Sequence, residues 1–116
     1  MVSLDTLRKL ALSFPEAIEK PHFEKTSFRI RKKIFVTFDE TKNIACIKLS
    51  EIDQDVFSAA DKTIIYPVDN KWGKRGCTLI EMEKVNPELF KDALTTAYFE
   101  IATKKLSKST RLDDKK

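Results

Sequence analysis

One side chain in this sequence titrates near neutrality without help, and that is His22, the single histidine. Glu19 and Glu24 lie close enough in the chain to orient an imidazole acting as general base. Cys46 and Cys77 are the two cysteines, and a thiolate at either could act as a nucleophile. No strained nucleophile turn or cysteine motif accompanies them, and no spacing brings these groups together. No catalytic residue is therefore expected, and His22 reads as an ordinary loop or surface residue. A metal site is equally unsupported, because one histidine and two distant cysteines fall short of a zinc or iron–sulfur ligand set. Asp53, Asp55 and Asp61 come nearest to an acidic ridge for hard cations, on a helix that needs solvated charges in any case. Neither a metal nor a cofactor is expected. Both cysteines lie in apolar, strand-like stretches, where a free core thiol is the ordinary state and fits a reducing cytoplasm. A disulfide between them remains geometrically open.

The cations carry a stronger signal. Lys and Arg number 22 against 18 Asp and Glu, a net charge of +4 that does not by itself define a partner. Their distribution is more informative. Arg29 and Arg31 alternate along one stretch, with Lys32 and Lys33 beside them. Lys71, Lys74 and Arg75 surround Trp72, the only tryptophan, in a loop that also holds both glycines, Gly73 and Gly76. Cations at these positions could contact phosphates, the indole could stack on a base, and the glycines could let a ligand approach the backbone. The candidate nucleic-acid-binding set is therefore Arg29, Arg31, Lys32, Lys33, Lys71, Trp72, Lys74 and Arg75. WGKRG lacks the spacing of a phosphate-cradling loop and its Ser or Thr after Lys. The same residues also suit a plainer role, with charges on an exposed sheet face and a tryptophan anchoring its loop.

These groups must be held by local elements that the pattern makes legible. Leu4, Leu7, Leu10 and Ala11 recur at helical spacing after Ser3, and Pro15 ends that helix. Residues 16–25 read as a connection. From Thr26 the period becomes two, with Phe28 and Ile30 on one face and Arg29 and Arg31 on the other. A turn at Lys32–Lys33 then leads into a strand patterned by Ile34, Val36 and Phe38. Ile44 to Leu49 forms the third strand of a meander. Ser50 with Asp53 resembles a capping box opening a helix whose apolar stripe is Ile52, Val56, Phe57 and Ala60. Thr63 to Val68 reads as an edge strand or a strand end because of Pro67, and Cys77 to Met82 as a further strand. Asn86, Pro87 and Glu88 begin a last helix, striped by Phe90, Leu94, Ala97 and Ile101. The expectation is an α+β fold, a two-layer antiparallel sheet with helices in the order α-β-β-β-α-β-β-α.

At 116 residues, with 41% apolar and 34% charged side chains, the chain supports one core. Residues 1–106 are expected to form a single domain and residues 107–116 a flexible tail with little to bury. No apolar run is long enough to cross a bilayer, and the polar start gives no signal peptide. The localisation expected from this is cytoplasmic.

Four segments together resemble the MmcQ/YjbR family: ALSFPEAIE (Ala11 to Glu19), TSFRIRKKIFVTF (Thr26 to Phe38), NKWGKRGCTLIEM (Asn70 to Met82) and ALTTAYFEIATKKL (Ala93 to Leu106). The resemblance implies a YjbR-like fold related to secretion-chaperone-like and CyaY-like arrangements. It also implies, by analogy with relatives named for DNA binding, a DNA or other nucleic-acid partner. It supplies no catalytic residue. Cys77 stands where many relatives have a second tryptophan, and Thr103 where an Ala-Pro-Lys segment is common. The alternative function is a protein-interaction or chaperone-like adaptor without catalysis, receiving a protein partner at the edge near Pro67 or on a patch with Ile52 and Phe57. The two readings part on whether the hairpin and loop cations meet on one surface, which strand register decides.

Overall fold

The computed structural model describes the backbone of residues 1–114 and the side chains of residues 1–102. The expected tail, residues 107–116, lies outside the described side chains. In chain order the elements are α1 (Leu4–Ser13), β1 (Ile18–His22), β2 (Lys25–Ile30), β3 (Lys33–Asp39), β4 (Ile44–Lys48), α2 (Glu51–Ala60), β5 (Ile65–Pro67), α3 (Lys71–Lys74), β6 (Cys77–Glu81) and α4 (Pro87–Asp114). The strands form one antiparallel sheet in the order β1-β2-β3-β4-β6-β5.

Local chemistry sets the helix starts. The Ser3 and Ser50 hydroxyls accept the backbone N–H groups of Thr6 and Asp53, and the Asn86 side chain accepts that of Leu89. Each satisfies a donor that the first helical turn leaves free. Leu7 and Ala11 of α1, with Phe90, Leu94 and Ala97 of α4, are buried against Phe28, Val36, Phe38, Ala45, Ile47 and Ile80 of the sheet. Burying a side chain such as Phe28 in this layer contributes about 1.5–3 kcal/mol. The opposite sheet face carries Thr37, Cys46, Leu79 and Tyr66 in one cross-strand row, all half-buried. The sheet thus has one helical face and one open face.

Four features depart from the sequence expectations. Residues 16–25 are not a mere connection, because Ile18–His22 pairs with β2 as an edge strand. Arg8 of α1 ties it down through two hydrogen bonds to Glu19, at 2.9 and 3.1 Å. The hairpin turns at Arg31–Lys32 rather than Lys32–Lys33, since Ile30 pairs with Lys33. Both turn residues have positive φ, 48° and 74°, as a two-residue turn matched to strand twist demands. Val36 faces Phe28 but Ile34 faces Arg29, leaving Phe35 as the extra residue of a β-bulge. The bulge puts Phe35 and Val36 both in the interior, where Phe35 meets Phe14 and Tyr98 edge-on at 6.0 and 5.5 Å. Finally, α2 turns Gln54 and Ser58 inward, while Ile52 and Val56 are 76% and 63% exposed. The anticipated apolar stripe of α2 survives only at Phe57, which packs against the core.

Candidate nucleic-acid interface

Strand register decides where the two basic segments lie. Ile30 and Lys33 close the β2–β3 hairpin, Val36 faces Ile47, and Lys48 faces Cys77. Pro67 faces Thr78. The Arg31–Lys32 turn, the end of β4 and the whole 68–76 connection therefore sit at one end of the sheet. Only β4 separates β3 from β6, a span of two strand spacings or about 10 Å. The β3–β4 turn, with Asp39 and Glu40, lies at the other end.

Within the hairpin the four expected cations divide. Lys32 and Lys33 are exposed. Arg29 lies on the open face, half-buried, where its Nε donates to Ser27 Oγ at 3.0 Å and its Nη2 to the Pro21 carbonyl at 3.4 Å. Ser27 Oγ in turn donates to the Lys20 carbonyl at 2.7 Å. Arg29 is thus a clamp between β2 and β1. Arg31 does not share the outward strand face expected for it, because it has entered the turn. Its guanidinium donates twice to the Glu16 carboxylate, at 3.2 and 3.1 Å, which holds it firmly protonated. A residue in the left-handed region leaves the alternation of the strand, which is why period-two reasoning misplaced it.

The 68–76 connection is built around a short helix, α3. Asn70 caps it, accepting the Trp72 N–H at 2.8 Å. Trp72 is 48% exposed, so it does not anchor the loop in the core. Lys71 Nζ lies 5.8 Å and the Arg75 guanidinium carbon 5.3 Å from its ring centroid, contacts worth about 0.5–1 kcal/mol each at an exposed site. The two glycines serve the protein rather than an approaching ligand. A β-carbon at Gly73 would sit 1.9 Å from the Val68 carbonyl oxygen, and one at Gly76 would sit 1.9 Å from that of Leu49. Gly76 also holds φ at 102°, a region that L side chains rarely enter. Gln54 of α2 completes the fastening, with Nε2 at 2.9 Å from the Gly73 carbonyl, 3.0 Å from Thr78 Oγ1 and 3.2 Å from the Cys77 carbonyl.

One cation outside the expected set belongs to this end. Lys48, half-buried on the open face, lies opposite Cys77 and between the hairpin turn and α3. Only cross-strand pairing connects it to the loop. Carboxylates are also present. Glu51, Asp55 and Asp69 line a cleft of about 490 Å³ between α2 and α3, together with Lys71 and Lys74. Asp69 therefore lies against the basic loop, whereas Asp39 and Glu40 are remote.

His22 stacks edge-on against Phe23 at 4.8 Å in the β1–β2 turn, at the far end from Cys77. Both cysteines are free, and each is half-buried on the open face instead of lying in the core. No group of three or more His, Cys, Asp or Glu is placed to hold a metal ion among the described residues, and no helix among them is long and apolar enough to cross a membrane.

This architecture defines an α+β protein with a single helical layer on a six-stranded antiparallel sheet. The chain belongs to the YjbR family, whose model matches residues 12–100. It is similar in structure to Deinococcus radiodurans protein DR2400, a crystal structure with a DUF419 domain, at a TM-score of 0.80 and 21% identity. That match covers 97% of this chain and 88% of the other. At this identity the likeness speaks to the fold. No curated protein matches the chain significantly.

Proposed function

We propose that this YjbR-family protein is a nucleic-acid-binding module that uses one end of its sheet. The observation that carries the reading is Trp72, half-exposed between Lys71 and Arg75, on a loop that leaves the same sheet end as Lys32 and Lys33. Lys48 extends the positive surface on the hairpin side, whereas Lys74 lines the cleft beside Glu51, Asp55 and Asp69. The indole supplies a stacking surface for an unpaired base, and the cations supply phosphate contacts. Asp69, with Glu51 and Asp55, confines the ligand to the hairpin side of α3, since a phosphate chain is repelled from the acidic cleft. Phosphate contacts carry no sequence information, so the module discriminates little between sequences.

Fluorescence anisotropy with single-stranded and duplex oligonucleotides at two salt concentrations tests this. Binding should weaken as salt rises, with each phosphate-contacting cation adding about 0.7–0.9 to the log–log slope. Lys32→Gln with Lys33→Gln should flatten the slope, and Trp72→Ala should weaken single-strand binding by about 1–3 kcal/mol. Absence of binding at low salt with about 100 μM protein, the weak limit for non-specific association, would refute it.

A second reading rests on Ile52 and Val56, exposed one helical turn apart on α2. A protein partner laying an apolar segment there would make the chain an adaptor. Ile52→Asp with Val56→Asp should then abolish recovery of a partner in a pull-down while leaving oligonucleotide binding intact. Recovery unaffected by the double substitution would exclude this surface.

A further inference from the structure

Cys46 and Cys77, the only two cysteines of the chain, lie on neighbouring paired strands. Cys46 faces Leu79 and Cys77 faces Lys48, so the two thiols occupy diagonal positions of one cross-strand quartet. Both belong to the open sheet face, and neither is covered by a helix. Strand twist shortens one diagonal of such a quartet and lengthens the other. Here the nearby Cys77 adds to the upward push that burial gives the Cys46 thiol. Two half-buried thiols in one diagonal of adjacent paired strands are an unusual use of an open face, and the nucleic-acid reading makes no use of them.

We propose that Cys46 and Cys77 form a redox-active dithiol, a modification site at which a low-molecular-weight disulfide of the glutathione class oxidises the pair reversibly to an intramolecular disulfide. The first attack belongs to Cys77, at the start of β6 and at the sheet end, with Lys48 across from it. Its thiolate attacks one sulfur of the oxidant, forming a mixed disulfide and expelling one glutathione thiolate, which takes up a proton. Cys46 is the resolving group. Burial pushes its thiol up to about 11, which makes it the poorer first nucleophile, and it acts only once the mixed disulfide stands beside it. It then loses its proton to solvent and attacks Cys77 Sγ, and the second glutathione leaves. Two protein thiols are oxidised, and one disulfide is reduced to two thiols.

The product is expected to be labile. A disulfide needs its Cα atoms within about 4.4–6.8 Å, whereas a relaxed diagonal pair stands at about 7–8 Å. Closing it draws β4 and β6 together at that corner, and bonds held under such strain are readily reduced.

The test uses the full chain, folded, in native buffer with excess glutathione disulfide, followed by intact mass and peptide mapping. The expected product is a monomer lighter by two hydrogens, with Cys46 joined to Cys77 and dithiothreitol restoring both thiols. Cys46→Ser should instead accumulate a stable mixed adduct at Cys77, the intermediate that the unsubstituted chain passes through. Persistence of two free thiols, a lasting glutathione adduct on the unsubstituted chain, covalent dimers, or pairing only in denaturant would each overturn the proposal. The readout is independent of oligonucleotide binding, so its failure and that of the nucleic-acid reading are separately visible.

Discussion

Gln54→Ala tests whether the Trp72 loop is held by α2 or by its own turn chemistry. Gln54 is buried, and its amide nitrogen lies within 3.2 Å of the Gly73 carbonyl, the Cys77 carbonyl and Thr78 Oγ1. An amide has two hydrogens, so two of these acceptors are served at a time. Truncation removes this donor, although the Gly73 carbonyl keeps the Gly76 N–H at 3.0 Å, the Cys77 carbonyl keeps the Val68 N–H at 3.0 Å, and Thr78 Oγ1 keeps its bond to the Gly76 carbonyl at 3.0 Å. No acceptor is orphaned, so the two lost hydrogen bonds count at their net worth of about 0.5–1.5 kcal/mol each, giving a loss of about 1–3 kcal/mol. For a domain of this size that lowers the melting temperature by roughly 10 °C. Chemical denaturation measures the stability, and fluorescence of the single tryptophan reports the loop directly. The indole emission of the folded variant should change as α3 loosens, and oligonucleotide affinity should fall with it. A variant that melts within about 1 °C of the parent with unchanged emission would refute the argument, and would assign loop position to the Asn70 cap and the glycines alone.

Three further outcomes follow from the geometry. Gly76→Ala should cost roughly 2–4 kcal/mol in denaturant titrations, since its β-carbon meets the Leu49 carbonyl at 1.9 Å and the 2.9 Å bond from the Leu49 N–H to the Gly76 carbonyl resists any shift. Ser50→Ala should lose about 1 kcal/mol by removing the hydroxyl that accepts the Asp53 N–H, whereas Ser50→Asp should restore it. Tyr66 donates its hydroxyl to the Glu81 carboxylate, and that bond, with burial, pushes it up to about 12. A tyrosine in the unfolded chain ionises near 10, so the folded protein holds this proton more tightly. The resulting stabilisation is complete below about pH 10 and is lost as pH rises towards 12. Denaturation midpoints measured across that interval should fall, with a shallower fall in Glu81→Gln; identical slopes would sink the assignment.

Much of the fold was legible because local rules governed it. Ser3, Ser50 and Asn86 announced three helix starts through side chains suited to capping, and Phe90, Leu94 and Ala97 marked the buried stripe of α4 at helical period. The alternation from Thr26 onward identified the hairpin. It could not fix the turn, because the bulge at Phe35 and the positive φ of Arg31 and Lys32 break the period from which faces are read. Strand β1 was hidden for a related reason. Ile18, Glu19, Lys20 and Pro21 are all exposed, and an edge strand with no buried side chain leaves no hydrophobic pattern.

The candidate site divides along the same line. Composition alone picked out Trp72 and the cations around it, since residue type and proximity in the chain need no fold to be seen. Whether those cations meet Lys32 and Lys33 depended on the crossover that places β6 between β4 and β5, a long-range pairing that no local window encodes. The same pairing brought Lys48 beside the loop and set Cys46 diagonal to Cys77, while the β1–β2 pairing and the hairpin turn tied Arg29 to β1 and Arg31 to Glu16. Helix caps and periodicity act over a few residues, so the sequence by itself determined the elements. Register, burial and the company each charge keeps are set by contacts between distant segments, and only the tertiary structure decided them.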